Sequence, residues 1–286
     1  MDLPADSHVH SEWSWDTGGP VPENLGRMAA MCAQAERIGL PAIAFTEHLD
    51  FNGRVRFDPQ DLLPQQQKYL DDEGYLVLPP FDVDGYLDSI DRCRHRFPGL
   101  RILTGVEFGQ PHLFEEEARG LLDLGALDRV NGSLHTLPDG DDRAEPGTLF
   151  RTWHPDDVMT TYLLEAVRMV EQSETIAVVT HLDYAARSWP VDSAGPFDPR
   201  RYEELFRAAM RAVAASGRAL EMNTRRLWPW LPQWWVEEGG RAITFGSDAH
   251  DALAPEVIAR SFPEAVAMAE HFGFRPGRRA EDLWTR

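Results

Sequence analysis

Asp6-Ser7-His8-Val9-His10 places two histidines two residues apart, after a short apolar start at Met1 and Leu3. In an extended strand, residues i and i+2 point to the same face. His8 and His10 therefore aim at one point, as a metal requires of two imidazoles, and each ring keeps a second nitrogen free for an orienting hydrogen bond. The same pair could also be two half-buried histidines on a polar strand face. The rest of the chain separates the two readings.

The chain has 286 residues, enough for one α/β barrel or two smaller domains and for a large core. Its 43% hydrophobic and 26% charged content is the profile of a globular protein. No apolar run approaches a membrane span and no basic-apolar leader opens the sequence, so a cytoplasmic location without membrane association is expected. Cys32 and Cys93 fall in helical segments and are expected to be buried free thiols. With 47 acidic against 28 basic residues the formal charge is −19, which disfavours binding to nucleic acid or anionic lipid. An anionic substrate would need a local attraction that opposes this field.

Working outward from residues 3–10, further strand-like runs occur at 42–46, 101–107, 129–134, 176–180, 219–222 and 242–245. Helical spacing marks 23–38, 83–96, 115–124, 155–172, 199–216, 231–238 and 255–271 between and after them. Asp156-Asp157 behind Pro155, and Asp198-Pro199, are start signals; Gly39, Gly99 and Gly217 are stops. Seven strand–helix units in one alternating series favour a closed parallel α/β barrel. With no linker or low-complexity run, residues 1–286 read as one domain. Residues 50–80 are too long for a simple βα loop and carry Phe51, Phe57, Tyr69 and Tyr75. They read either as a lid-like insertion over the barrel mouth or as a packed surface excursion.

Nearly every strand run ends in a metal-ligand type. The ends are His8/His10, Thr46-Glu47-His48, Glu107, Gly132-Ser133-Leu134-His135, Thr180-His181 and Ser247-Asp248-Ala249-His250, with Glu221-Met222-Asn223 at the sixth. In a parallel barrel these ends share one face, the face that carries active sites. His95, His112, His154 and His271 lie elsewhere and suit surface or capping roles. Six or more imidazoles with Glu107, Asp248 and Asp16 exceed one tetrahedral zinc and suggest two or three ions with a bridging carboxylate. The mixed nitrogen and oxygen donors suit Zn²⁺, Mn²⁺ or Fe²⁺.

Taken as an ordered set, His8-Val9-His10, Thr46-Glu47-His48, Glu107, His135, His181 and Ser247-Asp248-Ala249-His250 resemble the PHP (polymerase and histidinol phosphatase) family of metal-dependent phosphoesterases. The resemblance covers nearly the whole chain and implies a distorted (β/α)7 TIM-like barrel with a metal site at the C-terminal strand ends. It implies one ion on His8, His10, Glu107 and Asp248, a second on Glu107, His135 and His181, and a third on His48 and His250. Asp16 stands where the third ion often has a histidine. Gly132-Ser133-Leu134-His135, Leu220-Glu221-Met222-Asn223-Thr224 and His181-Leu182-Asp183 with Arg187 are similar to the histidinol-phosphatase branch, whereas Arg225-Arg226-Leu227-Trp228 replaces a small-residue turn there.

The expected chemistry is hydrolysis of a phosphomonoester, most closely L-histidinol phosphate, a step of histidine biosynthesis. A cation lowers a water's pKa toward about 7 and that water attacks phosphorus. Arg187, Arg225 and Asn223 are the candidate substrate contacts, and Glu47 or His250 the candidate acid–base residues. Glu47 has the alternative of orienting a ligand imidazole. Three divalent ions outweigh the charge of Asp16, Glu107 and Asp248, giving the phosphate its local attraction. Three rivals remain at this point. The first is a phosphoesterase of the same family acting on a small nucleotide or another phosphate ester, and the second a non-catalytic metal-binding barrel. The third is an amidohydrolase, whose usual bridging lysine finds no counterpart because the only lysine, Lys68, lies in the insertion. Whether the chain is a monomer or a homodimer stays open. Trp228, Trp230, Trp234 and Trp235 could line a heterocycle pocket or belong to the core.

Overall fold

Buried parallel strands need apolar side chains on both faces, and the runs named above supply them. The computed structural model describes residues 3–21, 24, 26–51, 54–252 and 258–286. Its strands are β1 (Asp6–Val9), β2 (Ala42–Leu49), β3 (Val55–Arg56), β4 (Arg101–Gly109), β5 (Arg129–Ser133), β6 (Leu137–Asp139), β7 (Asp142–Ala144), β8 (Val178–Val179), β9 (Ala219–Asn223), β10 (Ala242–Gly246) and β11 (Trp284–Thr285). The main sheet runs β1-β2-β4-β5-β8-β9-β10-β11. Its first seven members pair in parallel and coincide with the seven strands expected; β11 is antiparallel.

The sheet curls until β1 meets the segment that follows β10. An isolated parallel bridge joins Val9 to Ala249. Asp248 N–H donates to His8 O (2.8 Å) and His10 N–H to Ala249 O (2.9 Å). Asp6, fully buried, seals this seam: Oδ1 accepts from Ser247 N–H (2.9 Å) and Oδ2 from Ala259 N–H (3.1 Å). The result is a distorted (β/α)7 barrel.

Helices α1 (Met28–Arg37), α2 (Val83–Arg96), α3 (Pro111–Leu121), α4 (Pro146–Leu149), α5 (Pro155–Gln172), α6 (Tyr184–Arg187), α7 (Val191–Ala194), α8 (Glu203–Ser216), α9 (Trp230–Glu237) and α10 (Phe262–His271) lie between the strands or follow them. Their apolar stripes merge with the sheet into one large core cluster. α2 and α5 match the expected bounds. α3 begins four residues early because Gln110 turns the chain at φ 50° and Pro111 opens the helix, which then kinks at Phe114. α1 starts only at Met28: Asn24 folds back onto the carbonyls of Thr17 and Gly19 instead of entering a helix. Of the helix expected over 255–271, residues 255–257 lie outside the described residues, and the rest becomes helical from Phe262.

Residues 54–80 form a small second layer. β3 pairs with β7 of the β6–β7 hairpin, and Val55, Leu76 and Leu78 make a separate apolar cluster with Trp15, Phe57, Tyr69 and Leu70. Cys32 and Cys93 are buried and free, as expected. Among the described residues, no helix is long and apolar enough to cross a membrane.

Candidate metal centre and cleft

β2 and β4 run in register past their cores, so that His48 sits beside Glu107. Glu107, 1% exposed, is the hub of the rim. Its Oε2 faces His8 Nε2 and His10 Nε2 at 3.3 Å each and His48 Nδ1 at 3.2 Å. Its Oε1 faces His181 Nε2 at 2.7 Å and His135 Nε2 at 3.1 Å, and accepts from Ser133 Oγ at 2.6 Å. His8 and His10 do share a face, with their Nε2 atoms 3.1 Å apart. Asp248 Oδ1 completes that corner at 3.7 Å from His10 and 4.0 Å from His8.

A second knot lies alongside. His10 stacks between His48 and His250, with ring centroids at 4.4 and 4.2 Å. Asp16 Oδ2 approaches His250 Nε2 at 2.9 Å and His48 Nε2 at 3.5 Å. Four groups place their donor atoms within 4.8 Å of one another: His8/His10/Asp248, His8/Glu107/His181, His48/Glu107/His135 and His10/His48/His250. His48 thus belongs to two of them.

These donors suit divalent cations. A tetrahedral ion with nitrogen or oxygen ligands at about 2.05 Å separates them by about 3.3 Å, the spacing seen around Glu107. Glu107 Oε2 is buried and accepts no hydrogen bond among the described residues, and Asp16 Oδ1 is equally unpartnered. Such groups are costly unless a cation meets them. Burial opposes ionisation of Glu107, yet His8, His135 and His48 hold its carboxyl well below the usual range. Burial pulls His48 and His135 down, but Asp16 and Glu107 lift the first to about 9, and Glu107 and Asp50 lift the second to about 10. Burial, reinforced by His250 and His48, pushes His10 down to about 3.

Support for the donors comes from residues without a role assigned by their spacing. His8 Nδ1 lies 2.6 Å from Glu221 Oε1, and Glu221 Oε2 accepts from His181 N–H (2.9 Å). A Cβ on Gly246 would stand 2.0 Å from Glu221 Oε1 and 2.6 Å from His8 Cβ, so only glycine leaves room for that pair. His135 Nδ1 lies 3.2 Å from Asp50 Oδ1. The oxygen of the Gln110 amide accepts from the N–H groups of His135 (2.6 Å) and Thr136 (2.8 Å). Asp248 itself adopts φ 56°, a left-handed turn that aspartate tolerates.

Glu47 takes the second of its two expected roles, and Asn223 leaves its expected one. Glu47 is fully buried behind the donor layer. Its carboxylate accepts from Ser11 Oγ (2.6 Å), Ser11 N–H (2.9 Å) and Ser14 Oγ (2.6 Å), and Ser14 Oγ lies 3.0 Å from His10 Nδ1. Glu47 therefore orients His10 through Ser14 and does not reach the cleft. Asn223 likewise spends its amide on Glu221 (3.1 Å) and Asp248 (3.5 Å) and accepts from Arg225 N–H (3.1 Å), so it braces the rim instead of contacting a ligand. His250 does line the cleft, as do Asp16, Arg187 and Arg225.

The cleft above the donors has a volume of about 1080 Å³. Arg187, at the end of α6, donates from Nη1 to Asp248 Oδ2 (2.9 Å), while its Nε and Nη2 are buried without a partner among the described residues. Arg225, half exposed, stands 3.5 Å from the same oxygen. Also on the wall are Tyr184, whose ring packs on His135 and His181 at 5.3 and 5.2 Å, and Glu145, a 6% exposed carboxyl that burial pushes up to about 7. Glu145 lies away from the strand ends and caps α4 by accepting from Thr148 N–H, so nothing in its spacing marked its place in the cleft. Trp234 and Trp235 are core, Trp228 and Trp230 pack against it, and none of the four lines the cleft. His154 caps α5. His112, expected at the surface or a cap, is instead buried against Glu165 at 3.0 Å.

Comparison with known proteins agrees with this geometry. The pattern of the PHP domain matches residues 6–225. A histidinol-phosphatase of Lactococcus lactis is 31% identical over 258 residues, covering 86% of this chain and 84% of that protein. A protein of Clostridium acetobutylicum named "Probable histidinol-phosphatase" is 26% identical over 280 residues, 95% and 94% of the two chains. In three dimensions, the crystal structure of histidinol phosphate phosphatase from Lactococcus lactis, complexed with zinc, L-histidinol and phosphate, superposes with a TM-score of 0.74 at 24% identity, covering 98% of both chains. A match that takes in six of the seven barrel strands, on a rim crowded with imidazoles, makes this chain a member of the PHP domain family.

Proposed function

We propose that the protein is a metal-dependent phosphomonoesterase that hydrolyses L-histidinol phosphate to L-histidinol and phosphate. The observation that carries this reading is Arg187: an arginine whose Nε and Nη2 are buried without a partner among the described residues, standing beside a carboxylate–imidazole cluster. A planar guanidinium with free donors suits a phosphate dianion held against cations.

His8, His10, Glu107 and Asp248 would hold one ion, Glu107, His135 and His181 a second, and His48, His250 and Asp16 a third. Zinc is favoured by the imidazole-rich set, with manganese and iron as alternatives. Divalent ions there supply a water of lowered pKa and positive charge toward the phosphate oxygens. The protein does the rest. Arg187 and Arg225 grip the phosphoryl group and orient phosphorus toward the rim. Tyr184 covers the imidazoles on the cleft side and limits water. His250 lines the cleft, but its Nδ1 faces Asp248 O at 2.9 Å and its Nε2 faces Asp16 Oδ2 at 2.9 Å, so it serves the third ion and leaves the leaving alcohol to take its proton from solvent in the cleft. Glu145 gives the far wall a carboxyl that suits the ammonium or imidazole end of an amino-alcohol phosphate. The chain would act as one domain on a small substrate in the cytoplasm, and histidine biosynthesis would be its context.

The test is phosphate release with Zn²⁺ or Mn²⁺ from L-histidinol phosphate beside nucleoside monophosphates and simple sugar phosphates. Preference for histidinol phosphate, lost at least 10³-fold in a folded His135→Ala variant, is the expected outcome. Equal turnover of the whole panel, or near-normal activity of the variant, would overturn the reading.

A further inference from the structure

Asp16, the residue at the third cation position, sits in a one-turn 3₁₀ segment (Trp15–Thr17) rather than on a barrel strand. Residues 54–80 hold that turn from above. Gln66 Nε2 donates to Asp16 O at 3.1 Å, and its Oε1 is fixed by Leu63 N–H at 2.8 Å. Trp15 meets Tyr69 edge-on at 6.0 Å and completes the apolar cluster of Val55, Leu76 and Leu78. The same indole donates from Nε1 to Asp50 Oδ2 at 3.0 Å. Asp50 in turn lies 3.4 Å from His48 Nδ1. A Cβ on Gly109 would stand 1.8 Å from Asp50 Oδ1, so β4 is cut away to admit this carboxylate. Asp16 Oδ1 is buried without a partner among the described residues, which is the signature of a group waiting for a cation.

We propose that residues 54–80 act as the keeper of the third cation position, with Trp15 and Gln66 as positioning residues that hold Asp16 opposite His48 and His250. The first two positions draw their donors from barrel strands or the residues just beyond them; residues 54–80 reach the second only indirectly, through Trp15 and Asp50, whose Oδ1 lies 3.2 Å from His135 Nδ1. The third adds Asp16, whose turn is held from below by Ser11, Ser14 and Asn24 and from above by residues 54–80. This inference rests on the metal-dependent reading above.

The experiment is zinc stoichiometry of the full chain, by equilibrium dialysis and elemental analysis across a range of free zinc. It compares the wild type with Gln66→Ala, with Gln66→Ala/Tyr69→Ala, which removes the layer's contact to Trp15 and leaves the indole bond to Asp50 in place, and with Val77→Ala as an exposed control in the same layer. Folding is checked by circular dichroism and by the melting temperature of the zinc-free proteins. The expected result is three ions on the wild type and the control. The double variant should bind its last ion at least tenfold more weakly and the other two unchanged, with Gln66→Ala intermediate. Three ions retained at wild-type affinity, parallel weakening of all three, or a wild type that takes up only two would each overturn the keeper role. A wild type that binds no zinc would overturn the metal-dependent reading as well, which separates the two failures.

Discussion

Arg187 combines a fixed guanidinium with donor atoms that face the cleft. Its Nη1 bond to Asp248 fixes the guanidinium, and its Nε and Nη2 have no partner among the described residues, which suits them to a ligand. Hydrogen bonds to a charged group contribute about 1.5–3 kcal/mol. Arg187→Ala should therefore raise KM for histidinol phosphate by about 10- to 150-fold, and steady-state kinetics would show it; an unchanged KM would remove Arg187 from the phosphate grip. Glu145 carries a different signal. Burial pushes its carboxyl up to about 7, whereas an unfolded glutamate titrates near about 4.3. Between those values the folded chain holds the proton more tightly, so its contribution is fully present below about pH 4 and lost as pH rises through 7. In chelator-treated protein, Glu145→Gln should match the wild type near pH 4 and exceed its stability at pH 8 by up to about 3 kcal/mol, read from urea midpoints. A pH-independent difference would contradict this. The candidate donors His8, His10, Glu107, His135, His181 and Asp248 were legible because each sits at or within two residues of a strand's end, and a parallel barrel gathers those ends on one face. Asp50, Glu145 and Gln110 were not, since each acts from a loop or turn whose path depends on tertiary contacts.

Among the elements, the seven strands were readable from apolar runs bounded by glycine and proline, and the long helices α2 and α5 to the residue. The misplaced starts of α1 and α3 share a cause: side-chain and proline chemistry at Asn24 and Gln110-Pro111 overrode helical spacing. The layer built from β3, β6 and β7 left no periodic trace, because strands of two or three residues are too short to show one. β10 carries a tight requirement at its last residue. Gly246→Ala would drive a methyl group into Glu221 and His8, turning the His8 imidazole out of line. Zinc affinity should fall by about 10- to 100-fold, and stability by about 1–3 kcal/mol from the forced repacking. Zinc titration of the purified variant checks the first, and a wild-type dissociation constant would refute it.

For the molecule as a whole, the candidate donors come from β1, β2 and β4 or from the segments just beyond β1, β5, β8 and β10, so any ion they bind ties together parts of the chain far apart in sequence. Ligands that bind only the folded state stabilise it by about 4 kcal/mol each when present at a thousand times their dissociation constant. Chelation should then lower the melting temperature by on the order of 10 °C, and zinc should restore it. A melting curve indifferent to chelator would speak against cation binding altogether. The seam between β1 and β10 gives that stabilisation a direction. The early residues of β10 are flanked by β11 and not by β1, and only past Gly246 does β1 come alongside. The barrel is thus a split collar, fastened at one lip. His8 and His10 lie on one side of the slit and Asp248 on the other, so a cation shared by them is a rivet through the fastening. Heat or strain should part this protein along that one line before any other, and metal supply in its surroundings would set how firmly the clasp stays shut.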